Sequence, residues 1–213
     1  IANPAGITLS GNVTVGNILT MTQGNIDAGS YVLALSGSAE GALSHISGTV
    51  IGSFRRAIST TPGINYLFPV GTASCYRPAR LVFSSLSSTV NITARFVESS
   101  PDGFVPYSDG GEMLNNAFTE GYWRFYSSAP GTTNYSVILT GDSFVSFPLD
   151  DFARITGRDN GNSTWRALGS HGTVSGNDVS RTGVTNLNTT SFDFALATCY
   201  TPVFLGYKYE RNI

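Results

Sequence analysis

His45 and His171 are the only imidazoles in the 213-residue chain. Neither has a second His, a Cys or an acidic residue at ligand spacing, so a zinc centre is not expected. Acyl transfer needs a presented nucleophile, and no Gly-x-Ser-x-Gly elbow exists to supply one. Glycoside hydrolysis needs two carboxylates flanking one bond. Asp150 and Asp151, as sequence neighbours, would point to opposite faces of an extended segment and read as turn or cap residues instead. Asp159, Gly161, Thr164 and Trp165 approach the Asp-box turn of propeller proteins, but the spacing is one residue too long and the pattern occurs once. A hard cation would draw its oxygen ligands from Asp102, Asp109 and Glu112, or from Asp159, Asn160 and Asn162. Neither set has the ordered spacing of a calcium loop, and both read as turns capped by Asx side chains. The expectation is of no catalytic residue, no metal, no cofactor and no enzyme.

What remains is the chemistry of linkage and contact. A bridge between Cys75 and Cys199 would close a long loop, worth on the order of 4 kcal/mol in the chain-entropy model, and would mark an oxidising compartment. The alternative is two unpaired thiols in a β core; the bridge is the expectation carried forward. Tyr107, Trp123, Tyr126 and Trp165 are candidate ligand aromatics, although wide rings in a β protein more often pack sheet faces. Asn12, Asn91, Asn134, Asn162 and Asn188 stand in glycosylation sequons, which matter only on an outward face.

The elements that must position these residues are strands. Only 12% of residues are charged, against about 25% in an ordinary soluble domain, and Gly, Ser, Thr and Asn separate short apolar runs. That texture predicts an all-β, turn-rich chain with a β-sandwich, jelly-roll-like architecture of one or two packed sandwiches. A net charge of -2 supplies no field for nucleic acid. No run approaches the ~18 consecutive apolar residues of a membrane helix, so membrane insertion is not expected. Ile1 rather than Met opens the chain with no charged leader, and the expectation is that any signal peptide has been removed or was never present.

Along the chain, residues 1–98 read as an N-terminal β region. Gly-Asn pairs break residues 1–36 into arches or a meander, with turn spacing too irregular for a solenoid of fixed repeat. Ile64, Tyr66, Phe68 and Val70 then share one side of a pleat, and Val90–Val97 alternates most cleanly. Residues 99–121 read as a crossover loop with a short helix allowed at Glu112 to Phe118. Residues 122–197 form a C-terminal β region, with hairpins at 152–168 and around Ser175–Asp178. Residues 198–213 are a strand-like tail.

The segments SGNVTVGNILTMTQGNIDAGSYVLALS, GSFRRAI, INYLFPVGTASCYRPARLVF and RITGRDNGNSTWRALGSHGTVSGNDVSRTGVTNLNTTSFDFALA resemble the recurring modules of large secreted and cell-surface proteins of the Bacteroidetes and related bacteria. The resemblance implies an all-β extracellular building block of surface structure or adhesion, with no catalytic residues to transfer. The tail departs from that module. In TCYTPVFLGYKYERNI, Val203, Leu205, Tyr207 and Tyr209 alternate against Phe204, Gly206 and Lys208. Such an extension either completes another subunit's open sheet edge as a donor strand or folds back as the chain's own edge, with Ile1–Ser10 as the competing donor. The expected function is that of a non-enzymatic extracellular or cell-surface subunit, a filament or surface-layer component joined to copies of itself or to neighbouring modules by strand exchange. The alternative is a carbohydrate-binding or adhesion module whose partners are glycans.

Overall fold

The structure, a computed structural model, describes residues 1–159, 164–187 and 190–199. Its first third winds rather than meanders. Strands β1 (Ile7–Thr8) and β2 (Val13–Val15) lie in parallel against β4 (Ile26–Leu35), β4 lies in parallel against β6 (Val50–Ile58), and β6 against β8 (Val70–Gly71). On the other face β3 (Leu19–Met21) pairs in parallel with β5 (Leu43–His45). Ile7, Ile26, Val50 and Val70 therefore stand in one column, and Leu19 stacks on Leu43. Backbone hydrogen bonds run up this stack from Ile7 N–H to Asn25 O, Ile26 N–H to Thr49 O and Val50 N–H to Pro69 O, at 2.7–2.9 Å. The corners close on glycine. Gly24 has φ +87° and Gly48 φ +96°; a Cβ on Gly24 would meet Asn3 O at 1.7 Å, and one on Gly48 would meet Gly24 O at 2.2 Å.

From β6 onward pairing becomes antiparallel. β10 (Val90–Val97), β13 (Asn116–Ser127), β18 (Phe192–Thr198) and β15 (Arg154–Asp159) extend the first sheet to nine strands in the order β1-β4-β6-β10-β13-β18-β15, with β2 on β4 and β8 on β6. A five-stranded antiparallel sheet faces it, ordered β16 (Ser170–Ser175), β17 (Asp178–Val184), β14 (Thr133–Thr140), β9 (Ala79–Leu86) and β7 (Asn65–Phe68). Period-2 alternation builds the contact between them. Phe68 of β7 meets Phe125 of β13 edge to face at 5.8 Å and Phe54 of β6 at 6.2 Å, within one apolar cluster that runs from Leu19 to Leu196.

The all-β expectation holds, but the jelly-roll winding does not. Jelly rolls are wound from antiparallel strands, whereas the N-terminal strands here stack in parallel as the rungs of a β-solenoid. The short helix allowed at Glu112 to Phe118 is also replaced by strand. Tyr107–Asp109 (β11) and Glu112–Leu114 (β12) form a small hairpin, and Asn116 already pairs with Thr198. Among the described residues the only helical turn is the 3-10 turn Glu40–Ala42. No helix among them is long and apolar enough to cross a membrane.

Candidate functional site

The structure scatters the chemistry-bearing residues. His45 bonds Gly48 O through Nε2 at 2.8 Å and stacks on Tyr76, a corner role. Asp150 accepts the Phe152 amide and acts as a turn residue. Asp102, Asp109 and Glu112 do not gather as a trio: Asp109 and Glu112 stand opposite each other in the hairpin of Tyr107–Asp109 and Glu112–Leu114, but Asp109 pairs with Arg181, and Asp102 pairs with Arg158. No three metal-ligating side chains gather among the described residues; Asn160 and Asn162 lie outside them. Cys75 and Cys199 are free thiols, which overturns the expected bridge. Cys75 is held in the turn after β8 by Thr72, and Cys199 leaves β18 beside Asn115, so neither thiol lies within bonding reach of the other.

Trp123 and Trp165 are buried, which removes them as surface platforms. Trp123 donates to Arg77 O at 2.7 Å and packs on Phe96 and Phe144 in the core. Trp165 lies under the outer face of the large sheet, where Arg158 sits 4.3 Å over its ring. Tyr107 and Tyr126 stay half-buried. The sequon residues Asn12, Asn91 and Asn134 are exposed. Asn162, Asn188 and the tail residues Val203, Leu205, Tyr207 and Tyr209 lie outside the described residues.

Two buried charge clusters escaped the sequence reading. Asp193, fully buried on β18, takes Arg124 through two bonds of 2.8 Å and Arg158 Nε at 3.0 Å. Arg158 also reaches Asp102, whose carbonyl accepts from Trp165 Nε1 at 2.7 Å. This set straps the 99–106 segment to the outer face of the sheet. Beside β17, Tyr107, Asp109 and His171 gather round the buried Arg181. Burial pushes the Tyr107 phenol up to about 12, while burial and then the charges of Arg154 and Arg181 hold His171 below its ordinary value. The ion pair between Asp109 of β11 and Arg181 of β17 at its centre ties the β11–β12 hairpin to the smaller sheet.

The feature without an internal purpose is the end of the large sheet. At the β15 end, Arg166 covers the edge by exchanging both backbone bonds with Gly157, at 2.9 and 3.0 Å. At the other end, among the described residues, β1 and β2 pair with β4 alone. Natural sheets protect such edges with very short strands, charge, bulges or proline; this edge has the first, since β1 is two residues long and β2 three. Residues 1–26 contain no Asp, Glu, Lys or Arg; the first charged side chain is Asp27. The strands of this bare edge also leave Ile7, Leu9 and Val15 only partly covered, and Val13 is 38% exposed. The charge-free run is the one sequence signal that marks the edge. Compared with protein-family models, curated proteins and solved structures, the chain finds no match in any of the three.

Proposed function

We propose that the chain is a non-enzymatic structural protein of the cell exterior, a self-assembling filament or surface subunit joined to its neighbours by strand pairing. The bare parallel edge of β1 and β2 carries this reading. Among the described residues it has no strand partner beyond β4 and leaves apolar side chains half-covered, and its own two strands carry no charge, the nearest acidic group, Asp27, lying one rung inside. The resemblance of the turn-rich segments to bacterial surface modules supports the extracellular setting. Electron microscopy of native, never-denatured protein beside size exclusion over a range of concentrations tests it. Ordered, concentration-dependent polymers are expected, and a monomer at every concentration overturns the proposal.

A glycan-binding reading keeps one local support. Arg55, Thr93 and Tyr126 form a row across β6, β10 and β13 and, with Asn91, line a depression of about 200 Å³. A glycan array with the wild-type chain and Tyr126→Ala decides it: a signal lost in the variant supports binding there, and no signal removes it.

A further inference from the structure

The bare edge has a defined shape for its missing partner. Ile7 and Leu9 donate their amides inward, to Asn25 O and Asp27 O at 2.9 and 2.8 Å, and Val15 O accepts from Ser36. In a parallel strand the next residue along faces the other way, so the N–H and C=O of Thr8 and Thr14 point off the edge, and both residues are exposed. Four inward columns run up the stack above this edge. On β4 they are filled by Ile26, Ala28, Leu33 and Leu35, on either side of a register shift. On β6 they are filled by straight alternation at Val50, Gly52, Phe54 and Arg56. Val203, Leu205, Tyr207 and Tyr209 repeat that straight spacing.

We propose that the Val203–Tyr209 segment of a second copy of this chain adds as a further parallel rung on the free edge of β1 and β2. The proposal rests on the strand-pairing reading above and names its two surfaces. The donor belongs to another copy because the chain's own tail is too short. From Cys199, at the end of β18, a rung beyond β1 lies six inter-strand spacings away, about 29 Å. The four-residue step from Cys199 to Val203 reaches about 14 Å at full extension. Tail and edge are different surfaces, so the contact is heterologous and propagates as an open filament.

The test uses the full chain in two variants. Thr8→Pro with Thr14→Pro removes only outward-facing amides, which an edge strand tolerates. Leu205→Glu with Tyr207→Glu spoils the donor face. Circular dichroism confirms folding, and Thr8→Lys with Thr14→Lys replaces the proline pair if that pair does not fold. Each folded variant alone is expected to lose sedimentable polymer. An equimolar mixture is expected to stop at a 1:1 dimer, since one partner keeps a tail and the other an edge. Wild-type polymer with undiminished assembly of either variant overturns this inference and leaves the structural reading standing. A wild-type chain that stays monomeric overturns both.

Discussion

Asp193 and Asp102 sit in the same charge cluster but at opposite extremes of exposure. Asp193 has no exposed side-chain surface and pairs with two guanidinium groups, whereas the Asp102 side chain is 77% exposed. Removing one member of a buried set strands the remaining charges at about 3–5 kcal/mol, while exposed pairs are worth about 0–1 kcal/mol. Asp193→Asn is therefore expected to lower the melting temperature by about 10 °C, and Asp102→Ala to change it little; differential scanning calorimetry separates the two. Two titrating groups give the acid response its sign. Burial of Glu120 opposes its charge, but Ser146 Oγ and the amides of Val145 and Ser146 donate to the carboxylate, and these bonds hold it below the usual carboxylate range. His171 is likewise held below its ordinary 6.5, by burial first and then by Arg154 and Arg181. In both cases the unfolded chain takes up the proton first, so the stability they contribute is present above the unfolded pKa and is lost as pH falls through the folded one. Thermal melts are expected to weaken on acidification from about pH 6.5 downward. His171→Gln should flatten the upper part of that decline and Glu120→Gln the lower part.

At the scale of the element, the corner glycines carry the winding. Gly48 combines φ +96° with a virtual Cβ 2.2 Å from a backbone oxygen, whereas Gly176, in the β16–β17 turn, has φ +58° and open space around it. Gly48→Ala is expected to cost more than the ~1–3 kcal/mol of a left-handed residue alone, because the stacked backbone must also shift, while Gly176→Asn is expected to be nearly neutral. Denaturant titration of the pair measures the difference. The strands themselves were legible in the sequence. Val90–Val97 shows the alternation a half-buried strand requires, and Tyr66 and Phe68 are buried on β7 as their period predicts, although Ile64 before it is only partly buried and Val70 has crossed to β8 in the other sheet. Their stacking was not legible. The column residues Ile7, Ile26, Val50 and Val70 are spaced 19, 24 and 20 apart, because the loops between rungs differ in length while the strands stay in register. A search for a fixed repeat passes over that pattern. The helix allowed at Glu112 to Phe118 failed for a related reason: pairing of Asn116 with Thr198 is a long-range contact that no local window contains. The Asp193 cluster was hidden in the same way, since Arg124, Arg158 and Asp193 meet only once β13, β15 and β18 lie side by side.

For the whole molecule, stability comes from one continuous apolar cluster between facing sheets and from buried ion pairs, not from a covalent staple. With both thiols free, a reductant is expected to leave the melting temperature of the monomer unchanged; a drop would mean that a bridge holds the fold. The same charge distribution governs assembly. The edge strands contribute no charged side chain, and Asp27, the first acidic group, lies one rung inside. A contact made from backbone bonds and apolar columns is insensitive to Debye screening, which shortens from about 14 Å to about 4 Å between roughly 0.05 and 0.5 M salt. It is strengthened by sulfate, which raises the cost of exposed apolar surface. Sedimentation is expected to give the same polymer fraction across that range of sodium chloride and a larger one in ammonium sulfate. Polymer that dissolves as sodium chloride rises would instead assign the contact to Glu210 and Arg211, the charged residues of the tail beyond the docking segment, and would move the interface away from the bare edge of the first rung.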